Sequence, residues 1–178
     1  MGLPQKTMRT IIFLLLFSQF ANAQGLPCSS PEYRKFDFWI GEWEAFAKDG
    51  SKAGDSKISV ILDSCIILEE WTSVAIQKGL RYAGKSFNTY NAETKQWQQT
   101  WVDNTGNTTF YSIGKSETNS IVFKSNSFYV SKDSIAIRRL SFYKISAERV
   151  RQHGEISIDG EKTWQTEYDL EYRRKNKQ

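Results

Sequence analysis

The chain has one histidine and two cysteines, and no apolar run longer than the seven residues of "IIFLLLF", Ile11 to Phe17. A zinc site needs three or four ligands, so a single histidine gives metal binding by cysteine no support. The apolar run is too short for a membrane-crossing helix, which needs about 20 residues. No basic stripe is present: 24 Lys and Arg stand against 20 Asp and Glu. The single basic cluster, "YRRKNK" at Tyr172 to Lys177, reads as a solvated terminus, so nucleic acid is not an expected partner. G-x-S-x-G elbows, phosphate loops and metal-spaced histidine pairs are also missing. "GLRYAGKSF" from Gly79 lacks phosphate-loop spacing and reads as the start of a strand.

What is there begins with a leader. Lys6 and Arg9 precede the short apolar run, and "ANA" at Ala21 to Ala23 offers small residues at the positions a signal peptidase reads. Residues 1–23 are therefore expected to be a signal peptide and residues 24–178 a single domain, secreted to the periplasm or the cell exterior. Pro27 before Cys28 speaks against a lipid anchor. A chain of this length can bury roughly two thirds of the surface that it exposes when unfolded. In an oxidising compartment Cys28 and Cys65 are expected to form a disulfide. That bridge would close a loop of roughly 38 residues and contribute about 3–4 kcal/mol in the chain-entropy picture.

The dominant hydrophobic period is two. "KISVIL" from Lys57, "SIAIRRLSFY" from Ser134 and "WQTEYDLEY" from Trp164 all alternate, and short turn signals such as "NAETK", "DNTGN" and "DGEK" separate them. The pattern predicts an all-β chain of about ten strands in one antiparallel meander. A meander must protect its edge strands, and closure into a barrel does so most directly. A two-layer sandwich is the rival, although sandwiches usually need longer crossovers.

The aromatic stretch "FDFWIGEWEAF", residues 36–46, carries Gly41 two residues before Trp43. Strand alternation would turn Trp39, Gly41, Trp43 and Ala45 inward together. Glycine and tryptophan at this spacing, on the first strand of an exported all-β chain, resemble the G-x-W signature of the lipocalins and their calycin relatives. "YNAETKQWQQTWVD" at Tyr90, "RVRQHGEISIDGEKTW" at Arg149 and "YDLEYRRK" at Tyr168 extend the likeness to a family of uncharacterised secreted bacterial barrels. The resemblance implies that Trp43 closes one end of the barrel while Arg174, from the last strand, stacks over it. "SIDGEKTW", Ser157 to Trp164, is similar to the Asp-box of sialidase propellers. A propeller needs several copies, so one copy reads as a hairpin turn.

If Trp43 faces inward, parity suggests what else enters the lumen. Ile67, Glu69 and Trp71 form one inward set, Trp97, Gln99, Trp101 and Asp103 a second, and Ile135, Ile137, Arg139, Ser141 and Tyr143 a third. Val150, Gln152, Gly154, Ile156 and Ile158 form a fourth, and Trp164 to Arg174 in alternation a fifth. Apolar walls with a few placed polar groups suit a small-molecule pocket. The candidate ligand-binding residues are Glu69, Trp71, Tyr90, Trp101, Arg139 and Gln152, for a small hydrophobic or aromatic ligand and with no cofactor. Glu69 beside Arg139 could form an ion pair. Two alternatives stay open: an acid–base enzyme using Glu69 or Asp103, and a haem binder of the nitrobindin type using His153. Parity places His153 with Arg149, Arg151 and Glu155 on the solvent side. The sequence leaves oligomeric state open.

Overall fold

The computed structural model describes residues 27–77 and 79–176; the expected signal peptide lies outside them. Two short 3₁₀ turns, Pro31–Arg34 and Asp37–Trp39, precede eleven strands. These are β1 (Gly41–Ala47), β2 (Lys52–Ile61), β3 (Ile66–Gln77), β4 (Leu80–Asn91), β5 (Gln96–Asp103) and β6 (Thr108–Glu117). They continue as β7 (Ser120–Ser125), β8 (Phe128–Ser131), β9 (Ser134–Lys144), β10 (Arg149–Ser157) and β11 (Gln165–Arg174). Among the described residues no helix is long and apolar enough to cross a membrane.

From β1 to β7 each strand pairs antiparallel with the next, β7 pairs with β9, β9 with β10 and β10 with β11, and β11 returns to pair with β1. Ten strands thus close a barrel of the calycin kind. The remaining strand, β8, pairs with the start of β9. Closure, rather than a sandwich, follows from the short connections and from the pairing of first and last strands.

The aromatic opening segment divides where β1 begins. Trp39 is buried, but it enters from the second 3₁₀ turn and not from a strand. Phe36 and Trp39, both fully buried, stack 5.1 Å apart and pack on Phe142 at 4.9 and 4.4 Å. They plug one end of the barrel, and burying a side chain the size of Phe36 contributes about 1.5–3 kcal/mol. Arg34 donates a hydrogen bond to the Ser64 carbonyl, and the Cys28–Cys65 disulfide clamps the same segment to the turn between β2 and β3.

Trp43 lies directly opposite Arg174 in the β1–β11 ladder, with the guanidinium 4.2 Å from the indole centre. Arg174 also donates to the carbonyls of Ile40 and Ala147, while the Trp43 indole N–H donates to the Trp39 carbonyl at 2.8 Å. Gly41 sits at φ +140°, where side chains are rarely tolerated, and a β-carbon there would overlap the Arg174 guanidinium. The glycine of the G-x-W stretch therefore makes room for the cation that covers its tryptophan.

Candidate functional site

At the centre of the barrel is a polar network built from inward positions of six strands. Glu69 on β3 is 2 % exposed. Its carboxylate accepts hydrogen bonds from Ser56 Oγ (2.9 Å) on β2 and Ser86 Oγ (3.0 Å) on β4, and Tyr172 Oη on β11 lies 3.1 Å away. Asn88 Nδ2 donates to Ser86 Oγ, and Gln99 Nε2 on β5 donates to Asn88 Oδ1 at 2.7 Å. On the other side Tyr172 Oη is 2.7 Å from Gln152 Oε1 on β10. A phenol has one proton to donate, so Tyr172 cannot satisfy both acceptors. Either the Gln152 amide turns its NH₂ toward Tyr172, or a neutral Glu69 donates to it. The second arrangement agrees with the acidity of the site: burial pushes Glu69 up to about 7, against the pull of its three hydrogen bonds.

Beside this network lies a cavity of about 620 Å³. Its walls carry Trp71, Trp101, Tyr82, Tyr111, Tyr168 and Tyr172. Three of these rings lie against the barrel wall because the neighbouring strand offers a glycine. A β-carbon at Gly54 would collide with the Trp71 indole, one at Gly84 with Trp101, and one at Gly154 with Tyr168. The missing side chains let the large rings form wall panels, leaving space along the middle.

At the upper part of the cavity Asp103 Oδ2 accepts from Tyr82 Oη (3.1 Å) and Trp101 Nε1 (3.3 Å). Burial pushes the Asp103 carboxyl up, but hydrogen bonds from Thr105 and Asn107 outweigh it and hold the acid below its ordinary range. Burial pushes the Tyr82 phenol up to about 12, with the Asp103 carboxylate adding to the effect. Arg138 and Glu167 also line the space and are joined by hydrogen bonds of 2.9–3.1 Å.

The structure places Glu69, Trp71, Trp101 and Gln152 around this one cavity, and Tyr90 and Arg139 elsewhere. Tyr90 faces inward below the network, where it packs on Trp97 and meets Tyr33 edge-on at the plugged end. Arg139 is on the outside, paired with Glu155 at 2.8 Å and lying 4.2 Å over the Trp164 ring. The inward set of β9 is Ala136, Arg138, Leu140 and Phe142, with Leu140 and Phe142 buried in the aromatic core. The other face carries Ile135, Ile137, Arg139, Ser141 and Tyr143, and Ile135 is left 48 % exposed. Glu69 consequently has no ion pair with Arg139.

The last strand departs from simple alternation for a different reason. Gly154 pairs with Tyr168 but Glu155 pairs with Thr166, so Glu167 is an extra residue in the ladder. This bulge keeps Tyr168, Leu170 and Tyr172 inward and turns Thr166 and Trp164 outward. His153 is on that outer face, 2.9 Å from Thr166 Oγ1 and 3.6 Å from Glu155, and does not line the cavity. It offers no haem ligand to the lumen. Ile158, expected inward, is exposed beyond the end of β10.

Within the "SIDGEKTW" turn, Asp159 gathers the Lys162 and Thr163 amides and the Ser157 and Thr163 hydroxyls. These bonds bring its carboxyl down to about 2 and account for the motif as local turn structure. Among the described residues no group of three or more His, Cys, Asp or Glu side chains could hold a metal ion. The sequence pattern did not single out Ser56, Ser86, Asn88 or Arg138, all of which shape the network or the cavity. No family model matches the chain, and no curated protein matches it either.

Proposed function

We propose that this protein is an exported binding barrel, related to the calycin family that its G-x-W stretch resembles. It holds a small, flat, apolar or aromatic molecule with one hydrogen-bonding end. The supporting observation is the cavity of about 620 Å³ between aromatic panels, bordered by the Glu69–Tyr172–Gln152 network. Small-molecule pockets span about 300–1,000 Å³ with this mixture of apolar wall and placed polar group. The Cys28–Cys65 disulfide supports an oxidising compartment, and the leader sequence supports export.

The test is native mass spectrometry together with tryptophan emission, using the purified protein and a panel of small aromatic molecules. One-to-one complexes that quench emission are expected. Ala53 lines the cavity, so Ala53→Phe should block them. Failure of every aromatic probe to bind, or binding undiminished in the correctly folded Ala53→Phe protein, would overturn the reading.

A second reading, an acid–base enzyme, is favoured by one observation: burial leaves Glu69 with its pKa pushed up to about 7, the range of an efficient general acid or base. Asp103 drops out as the alternative base because the hydrogen bonds of its turn hold its pKa below the ordinary carboxylate range, which makes it a weak base. This reading requires a reaction that Glu69→Gln abolishes while ligand affinity survives.

A further inference from the structure

The cavity has an uneven charge distribution. Four ionic side chains line it: Glu69, Asp103, Glu167 and Arg138. Arg138 and Glu167 neutralise each other through a two-pronged contact. Glu69 and Asp103 form no ion pair with any described residue. Their partners are hydroxyls, amides and an indole N–H, none of which supplies a positive charge, so a cation bound beside Glu69 would also favour its ionised form. No lysine lines the space, and its one guanidinium is already engaged.

The walls favour the same sign of guest. Trp71, Trp101, Tyr82 and Tyr168 line the cavity, and the negative faces of aromatic rings attract cations. The glycine positions behind Trp71, Trp101 and Tyr168 hold these rings as flat panels. The neighbouring phenols sense the same field: burial first, and the Glu69 charge second, hold Tyr172 well above the ordinary tyrosine range. An anionic guest would meet two carboxyls and no free cation. A neutral guest would leave both carboxyls without a charged partner.

From this arrangement we propose that the lumen selects an organic cation, a protonated or quaternary amine on a flat apolar body, whose charge faces the Glu69 and Asp103 carboxyls while its body lies against Trp71 and Trp101. The proposal rests on the binding-barrel reading and names its ligand class.

Three probes with one ring system separate the two: 1-naphthylmethylammonium, 1-naphthylmethanol and 1-naphthoate, each titrated against the full mature chain by tryptophan quenching and calorimetry. The ammonium is expected to bind at least about tenfold more tightly than the alcohol, and the carboxylate most weakly, consistent with cation–aromatic attraction added to charge pairing. Glu69→Gln and Asp103→Asn should each narrow the ratio of ammonium to alcohol affinity. Equal affinities, or a preference for naphthoate, would overturn the cation assignment while leaving lumen binding intact. If no probe of any charge binds, the binding-barrel reading fails as well. The comparison of probes on the unaltered protein decides the matter even where a variant folds poorly.

Discussion

Replacing Glu69 with glutamine should make the barrel more stable at alkaline pH than the natural sequence. In the unfolded chain this carboxyl ionises near 4.5, whereas in the barrel burial pushes it up to about 7. Between those values the folded protein holds a proton that the unfolded chain has released. Stability therefore falls as pH rises through this window, by about 1.4 kcal/mol per pH unit. The accumulated loss above pH 7 is on the order of 3 kcal/mol relative to pH below 4.5. Glutamine keeps the shape, can still bond to the hydroxyls of Ser56, Ser86 and Tyr172, and carries no charge at any pH. Urea denaturation of both proteins between about pH 5 and pH 8 measures the difference. With a typical urea dependence of about 1–3 kcal/mol per molar, the natural protein should lose about 1–3 M in midpoint relative to Glu69→Gln across the series. Asp159 and Asp169, both held near 2, lose their contribution only at lower pH and do not enter this window. Parallel midpoints across the series would refute the assignment of a buried, late-ionising Glu69.

Arg174→Ala removes the cation from Trp43 and leaves the Ile40 and Ala147 carbonyls without their donor; a loss of about 2 kcal/mol should lower the melting temperature by about 4–8 °C in calorimetry. Gly41→Ala should cost about 1–3 kcal/mol through its φ of +140°, and the double variant Gly41→Ala, Arg174→Ala should recover only the part due to overlap with the guanidinium. Replacing Cys28 and Cys65 together by serine opens a link across 37 residues and should reduce unfolding free energy by about 3–4 kcal/mol, read by denaturation. Gly84→Ala should push Trp101 from its panel, costing about 1–3 kcal/mol and changing its emission.

Alternation and turn residues were enough to read the barrel and the inward sets of β3 and β5, and the disulfide pair followed from two cysteines behind an export leader. Where the sequence misled, the cause was local. "RR" at Arg138 and Arg139 puts identical charges on opposite faces, and only the packing of Leu140 and Phe142 decides which one enters. The bulge at Glu167 reverses parity in mid-strand, and the glycine that accompanies it, Gly154, lies on the neighbouring strand rather than on β11. On β4, Ser86 and Asn88 point inward while Phe87 is 39 % exposed, which inverts the usual amphipathic pattern. A polar lumen is written in the residues that an apolar-core reading assigns to solvent. The Glu69 partners were hidden for that reason, although the spacing of Ser86, Asn88 and Tyr90 opposite Trp97, Gln99 and Trp101 carries the signal.

The contact between Tyr172 and Glu69 also has a meaning in time. It joins residues 103 apart in the chain, so it cannot form until the last strand has docked against the first. Such distant pairings are late and slow in folding because the loop between them must be closed first. Before docking, Glu69 is an ordinary solvated acid; afterwards it is enclosed and takes up a proton. Refolding near pH 6 in a weakly buffered indicator dye should therefore show proton uptake in step with the final kinetic phase. The barrel thus contains a chemical reporter of its own closure.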